Sequence, residues 1–173
     1  MAITLVVAAY QSTTANTYVS LEDSEIYHER RLHNPEWLAA TDEQKRAALV
    51  WATRSLDSWM SWIGYRSWDE QSLEWPRVNA YDRSGYAYEH TDIPQPLKDA
   101  TSELAYLLLK SDRSAESSNP SSAGLSSVTV GDISLVFDPK DRIEEVPDSV
   151  AVLLRGLGAK ASPKPSAVKL QRV

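Results

Sequence analysis

Five of the six tryptophans in this 173-residue chain fall between Lys45 and Arg77, and this restricts the fold more than any other feature. Each indole carries a large apolar area that a small protein has few places to bury. Along the first half of the stretch Ala48, Trp51, Ala52, Leu56, Trp59 and Ile63 recur three or four residues apart, with Arg46, Thr53, Arg54, Asp57 and Ser61 on the other side. That spacing predicts one face of an amphipathic helix. Thr41 followed by Gln44 reads as its capping box, and Gly64 as its end. A Trp-rich loop then closes at Trp75-Pro76-Arg77, where proline fixes its own φ. On this reading Trp51, Trp59 and Trp75 belong to the core.

The other elements follow from caps and breaks. Residues 1–16 read as an apolar strand or arm. Ser20 caps a helix over Leu21 to Leu32, with Glu22 and Asp23 in its first turn, where acids complement the macrodipole. Asn34-Pro35 breaks the chain and Trp37-Leu38 forms a short apolar plug. Asp92 with Gln95 starts another helix, whose Leu97, Ala100, Thr101, Leu104, Leu107 and Leu108 form a stripe expected to pack on the tryptophan face. Between these helices lies a polar-aromatic loop, Arg77 to Asp92.

Six serines between Ser111 and Gly124 mark a linker. Alternation then predicts a β-hairpin turning at Gly131-Asp132, with Val128, Val130, Ile133, Leu135 and Phe137 on one face. Pro147, Val150, Leu153, Leu154 and Leu157 suggest a short final helix. The predicted fold is mainly α: a small helical bundle (17–110), a Ser-rich linker (111–124), an appended hairpin and short helix (125–158), and extended arms at 1–16 and 159–173.

The chain has no cysteine, which excludes disulfides and thiolate chemistry. His28 and His33 stand five apart, about 140° around a helix, whereas a zincin pair needs four. No metal, cofactor or catalytic residue is assigned. Neither the acidic pairs nor Ser84-Gly85 provides a placed acid/base pair or a nucleophile elbow, so the chain reads as a non-enzyme. The apolar start is far shorter than a membrane span.

Charge is unevenly distributed. The net charge is −6, yet residues 149–173 carry five basic side chains and no acid. Residues 1–148 therefore hold thirteen basic against twenty-four acidic residues, a body of −11 that should repel phosphates. The run Trp62, Tyr65-Arg66, Trp68, Trp75-Pro76-Arg77, Tyr81 and Arg83 has the aromatic-cation mixture of a single-strand stacking platform. Core and protein-interface roles for its tryptophans weigh against that reading, as does the sign of the body charge.

The ordered series Asn16-Thr17-Tyr18-Val19-Ser20, Lys45, Ala48-Leu49, Ala52-Thr53, Leu56-Asp57, Gly64-Tyr65-Arg66, Gln71, Leu73, Trp75-Pro76-Arg77, Ile93-Pro94, Ala100 and Glu103-Leu104-Ala105 resembles tailed-bacteriophage head-to-tail connector (adaptor) proteins of the DnaT-like family. The match covers roughly residues 16 to 110. The resemblance implies a virion neck subunit, assembled in the host cytoplasm, that forms a dodecameric ring under the portal protein. It would link the portal to the next tail or neck component and extend a channel through which genomic DNA passes without specific binding, with no membrane partner. In that scheme Lys160, Lys164, Lys169, Leu170 and Arg172 form a portal-binding arm. Trp68, Arg77, Tyr81, Tyr86 and Tyr88 would face a neighbouring subunit or the tail. The alternative is a single-stranded nucleic-acid-binding module, the role the DnaT-like label names.

Overall fold

The computed structural model describes residues 3–111, 127–130, 133–136 and 146–161. In order these form α1 (Leu21–Glu29), α2 (Pro35–Ala39), α3 (Asp42–Trp59), β1 (Met60–Trp62), β2 (Tyr65–Arg66), β3 (Arg77–Val78), α4 (Gln95–Lys110), β4 (Ser127–Val130), β5 (Ile133–Val136), α5 (Asp148–Leu153) and β6 (Gly158–Lys160). The strands pair two by two and antiparallel: β1 with β6, β2 with β3, and β4 with β5. A helical body with small strand pairs is therefore what forms. Among the described residues no helix is long and apolar enough to cross a membrane.

The helix starts follow their sequence signals. The Ser20 hydroxyl accepts from the Asp23 amide, and Thr41 and Gln44 form a reciprocal capping box. The α3 end differs from expectation. The helix stops at Trp59 and the chain extends into β1; Gly64 instead turns β1 into β2 at φ +66°. A Cβ there would lie 2.1 Å from the Val78 carbonyl oxygen, so glycine is required by contact as well as by dihedral. Asp92 does not cap α4, whose N-cap is Pro94.

The buried face of α3 is Lys45, Ala48, Leu49, Ala52, Thr53, Ser55 and Leu56. At 100° per residue its centre is rotated by about 40° from the face that counts the tryptophans. Small side chains explain the choice. Ala48 and Ala52 on α3, and Ala100 and Ala105 on α4, are all buried and allow close helix packing, and Thr53 satisfies its buried hydroxyl on the Leu49 carbonyl at 3.0 Å. Trp51 and Trp59, expected in the core, are left 44% exposed. Trp37, on α2, is fully buried while its neighbour Leu38 points out.

Residues 146–157 contribute Val146, Val150, Leu154 and Leu157 to the same core that holds Leu49, Leu56, Leu97, Leu104 and Trp75. Lys160, assigned above to a free arm, is instead part of β6, paired with Met60, and its ammonium lies 2.7 Å from Asp148. The β4–β5 register places Val128 opposite Leu135 and Val130 opposite Ile133. Its turn, Gly131-Asp132, lies outside the described residues, as do Phe137 and the Ser-rich linker beyond Ser111.

A buried histidine and a half-buried carboxylate oppose each other in pH. His28 stacks on Trp37 at 4.0 Å, and its Nε2 donates to the Ser102 carbonyl at 3.2 Å. Burial holds its pKa down at about 4. Asp57 is raised to about 6 by burial, against the hydrogen bonds it receives from the Tyr18 hydroxyl and the Glu74 amide. A depressed histidine contributes stability above its unfolded pKa and loses it on acidification; a raised carboxylate gains stability as pH falls from 6 toward 3.8. Between pH 6.5 and 4.5 the two contributions nearly cancel. Asp57→Asn should unmask the histidine, so that urea denaturation shows the variant losing about 2 kcal/mol more than wild type over that window. Parallel stability profiles for the two proteins would refute this.

Candidate nucleic-acid interface

The aromatic-cation run identified in the sequence divides: Trp75 and Arg77 turn inward, while Tyr65, Arg66, Tyr81 and Arg83 are exposed. Trp75 is 1% exposed and sits edge-on to Trp62 and Tyr88, with ring centroids 5.9 and 6.4 Å away. Arg77, expected at a subunit or tail interface, is buried. Its Nε donates to the Ile63 carbonyl at 2.7 Å and Nη2 to the Gly64 carbonyl at 2.8 Å; Nη1 reaches the Glu74 carbonyl and carboxylate at 3.0 and 2.6 Å. A guanidinium committed in this way tethers the Trp-rich loop and has little left for a partner. Trp68 and Tyr88 are half-buried, while Tyr81 and Tyr86 are exposed. Of the expected portal-binding arm, Lys164, Lys169, Leu170 and Arg172 lie outside the described residues.

Two further exposed aromatics, Trp51 and Trp59, are ones the helical pattern had placed inside. Trp51, Arg54, Ser58 and Trp59 occupy the solvent flank of α3. The Arg54 guanidinium lies 5.2 Å from the centre of the Trp51 ring, a cation–π arrangement that holds both side chains in place. Eight residues separate the two indoles, about 12 Å along the helix axis. From Gln44 to Trp62 the chain has one acid, Asp57, which turns to Tyr18 and Glu74 rather than to this flank. The other acids of α3, Asp42 and Glu43, lie in its first turn.

The C-terminal end of α3 meets the cationic part of the chain. The Ala161 amide donates to the Trp59 carbonyl at 2.8 Å, so β6 runs beside Trp59. Arg155 is exposed six residues upstream of Ala161. Arg83, from the loop between β3 and α4, donates to the carbonyls of Arg155 and Val152 at 3.3 and 3.5 Å. That loop is ordered by a Tyr81–Ala87 bridge and by Asp82, whose Oδ1 accepts from the Ser84 and Tyr86 amides at 2.8 Å each.

Elsewhere the polar residues are structural. His28 is enclosed by Tyr27, Trp37 and Tyr106, and Glu103 holds Arg31 through two bonds of 2.8 and 3.0 Å. No group of three or more His, Cys, Asp or Glu side chains among the described residues is placed to hold a metal ion. The outer flank of α3 offers π-faces, one stacked cation and a nearby positive edge, which is the chemistry of base stacking.

A family model described as "Putative DnaT-like ssDNA binding protein" matches residues 3–173. No curated protein and no solved structure matches the chain. The family match corrects the head-to-tail connector function inferred from resemblance. It points to single-stranded DNA as a bound partner, where the connector reading had DNA passing without specific binding beside a portal and tail components. The objection from body charge applies less to this part of α3, because between Gln44 and Trp62 the chain carries a single acid, Asp57, which is engaged by Tyr18 and Glu74.

Proposed function

The chain belongs to the DnaT-like single-stranded-DNA-binding family, and from that premise we propose that it binds single strands by stacking bases on the outer flank of α3, with no catalytic step. What carries this reading is the exposure of Trp51 and Trp59 beside Arg54, on a helix with enough apolar surface elsewhere to form its core. Stacking is tolerant of base identity because every base has a π-face, and an adjacent arginine adds attraction for both ring and phosphate. Arg83 and Arg155 supply local attraction for phosphates that the net charge does not.

Titration of a fluorescently labelled oligothymidylate with the purified full chain at low salt tests this directly. Anisotropy should rise, tryptophan emission should be quenched, and both effects should weaken as salt increases. A duplex of equal length should bind less well, since its bases are already stacked. If neither signal changes at low salt, single-strand binding is excluded.

A further inference from the structure

We propose that Arg83 and Arg155 form a second, phosphate-holding subsite for the same strand, reached by a longer oligonucleotide after it leaves the α3 flank. This inference rests on the single-strand reading above and adds the place where the backbone is held. Arg83 is positioned before any ligand arrives. The Asp82 turn shapes the loop tip, Gly156 adopts φ +96°, and a Cβ at position 156 would sit 3.5 Å from Arg83 Cγ. The arginine stem thus lies across the α5–β6 turn at ordinary contact distance, and the positive φ is what favours glycine at 156.

Capping the end of α5 does not exhaust Arg83. Its bonds to the Arg155 and Val152 carbonyls are long, at 3.3 and 3.5 Å, and they occupy two of the five donors a guanidinium carries. Arg155 is exposed on the same turn. The nearby carboxylates are engaged: Asp82 Oδ1 accepts two amides, and Asp148 pairs with Lys160 at 2.7 Å. The Arg83 guanidinium lies on the Arg155 backbone, so two cations share one turn against one unpaired anion, Asp82, a balance that favours a phosphate, whose oxygens accept from a guanidinium fork.

The subsite lies within reach of the stacking platform. Ala161 is bonded to Trp59, and the six residues back to Arg155 span at most about 20 Å. With about 12 Å between the two indoles, the whole path is at most about 35 Å. A strand of about four nucleotides should cover the indoles alone, and one of about twelve should reach the arginines, both within the range of known single-strand site sizes.

The test compares oligothymidylates of these two lengths on wild type and on the Arg83→Gln/Arg155→Gln double variant, with anisotropy read across a salt series. Wild type should bind the longer strand with a steeper salt dependence. In the variant, the logarithmic salt slope for the longer strand should fall by about 1.4, or about 0.7 for each lost phosphate contact, with the short strand unaffected. An unchanged slope for the longer strand would overturn the proposal. Arg155→Gln alone, at an exposed position, should lower the slope by about 0.7 and provides the answer if the double variant is unstable. Failure of wild type to bind either strand would remove the stacking reading itself, a different result from a variant that binds like wild type.

Discussion

Replacing Arg77 with alanine should destabilise the protein by about 3–5 kcal/mol, the usual cost of removing one partner from a buried charged network. The change leaves the carbonyls of Ile63, Gly64 and Glu74 without their donor, and frees the Glu74 carboxylate. Each unsatisfied buried acceptor costs about 1–3 kcal/mol. Arg77→Lys should recover only part of the loss, because an ammonium cannot reproduce a planar fork that reaches three backbone oxygens at once. Urea or thermal denaturation reads the effect. Below the variant's melting temperature, single-strand affinity should remain near wild type, since Arg77 is 7% exposed and faces the loop it tethers. A variant that folds normally and loses affinity would reverse this assignment and make Arg77 a contact residue.

Arg77 also shows where sequence reasoning reaches its limit. The Trp75-Pro76-Arg77 motif was visible, yet an arginine among aromatics reads the same whether it points outward to a partner or inward to carbonyls. The deciding interactions are with backbone atoms of Ile63 and Gly64, fourteen and thirteen residues away, which carry no side-chain signature. Caps were legible because their signal is local: Ser20 and Thr41 each bond a backbone amide three residues on. The α3 boundary was misread because Gly64, a common helix stop, serves a strand turn.

The facing of α3 was the costliest error, and its cause is specific. Ala48, Ala52 and Leu56 of the expected face are buried, but close packing against α4 turns that face toward Leu49 and Thr53 and leaves Trp51 and Trp59 outside. Thr53 was assigned to the polar side and is fully buried, since a threonine can satisfy its hydroxyl on its own helix. The one available signal was that Lys45, Leu49, Ala52 and Leu56 keep the same spacing as the tryptophan set. Two candidate faces on one helix therefore meant that the losing face would present indoles to solvent.

That outcome makes the strongest functional test a double substitution on the losing face. Trp51→Ala with Trp59→Ala should weaken single-strand affinity by about 2–6 kcal/mol, since alanine replacement of one stacking aromatic costs about 1–3 kcal/mol. A loss of thirtyfold or more in anisotropy titrations is expected, along with disappearance of most of the tryptophan quenching. The salt slope should change little, because the variant removes π-faces and leaves the phosphate contacts in place. Stability should fall much less than for a core tryptophan, since both indoles are 44% exposed while Trp75 is 1% exposed. Trp75→Ala is the contrasting control, expected to cost about 3–5 kcal/mol of folding free energy through the cavity it leaves. Exposed tryptophans can equally anchor another protein chain, and a phenylalanine pair separates the two cases. Trp51→Phe with Trp59→Phe keeps stackable rings and should restore most of the affinity for DNA. If the alanine pair binds single strands as tightly as wild type, the α3 flank is not the binding surface.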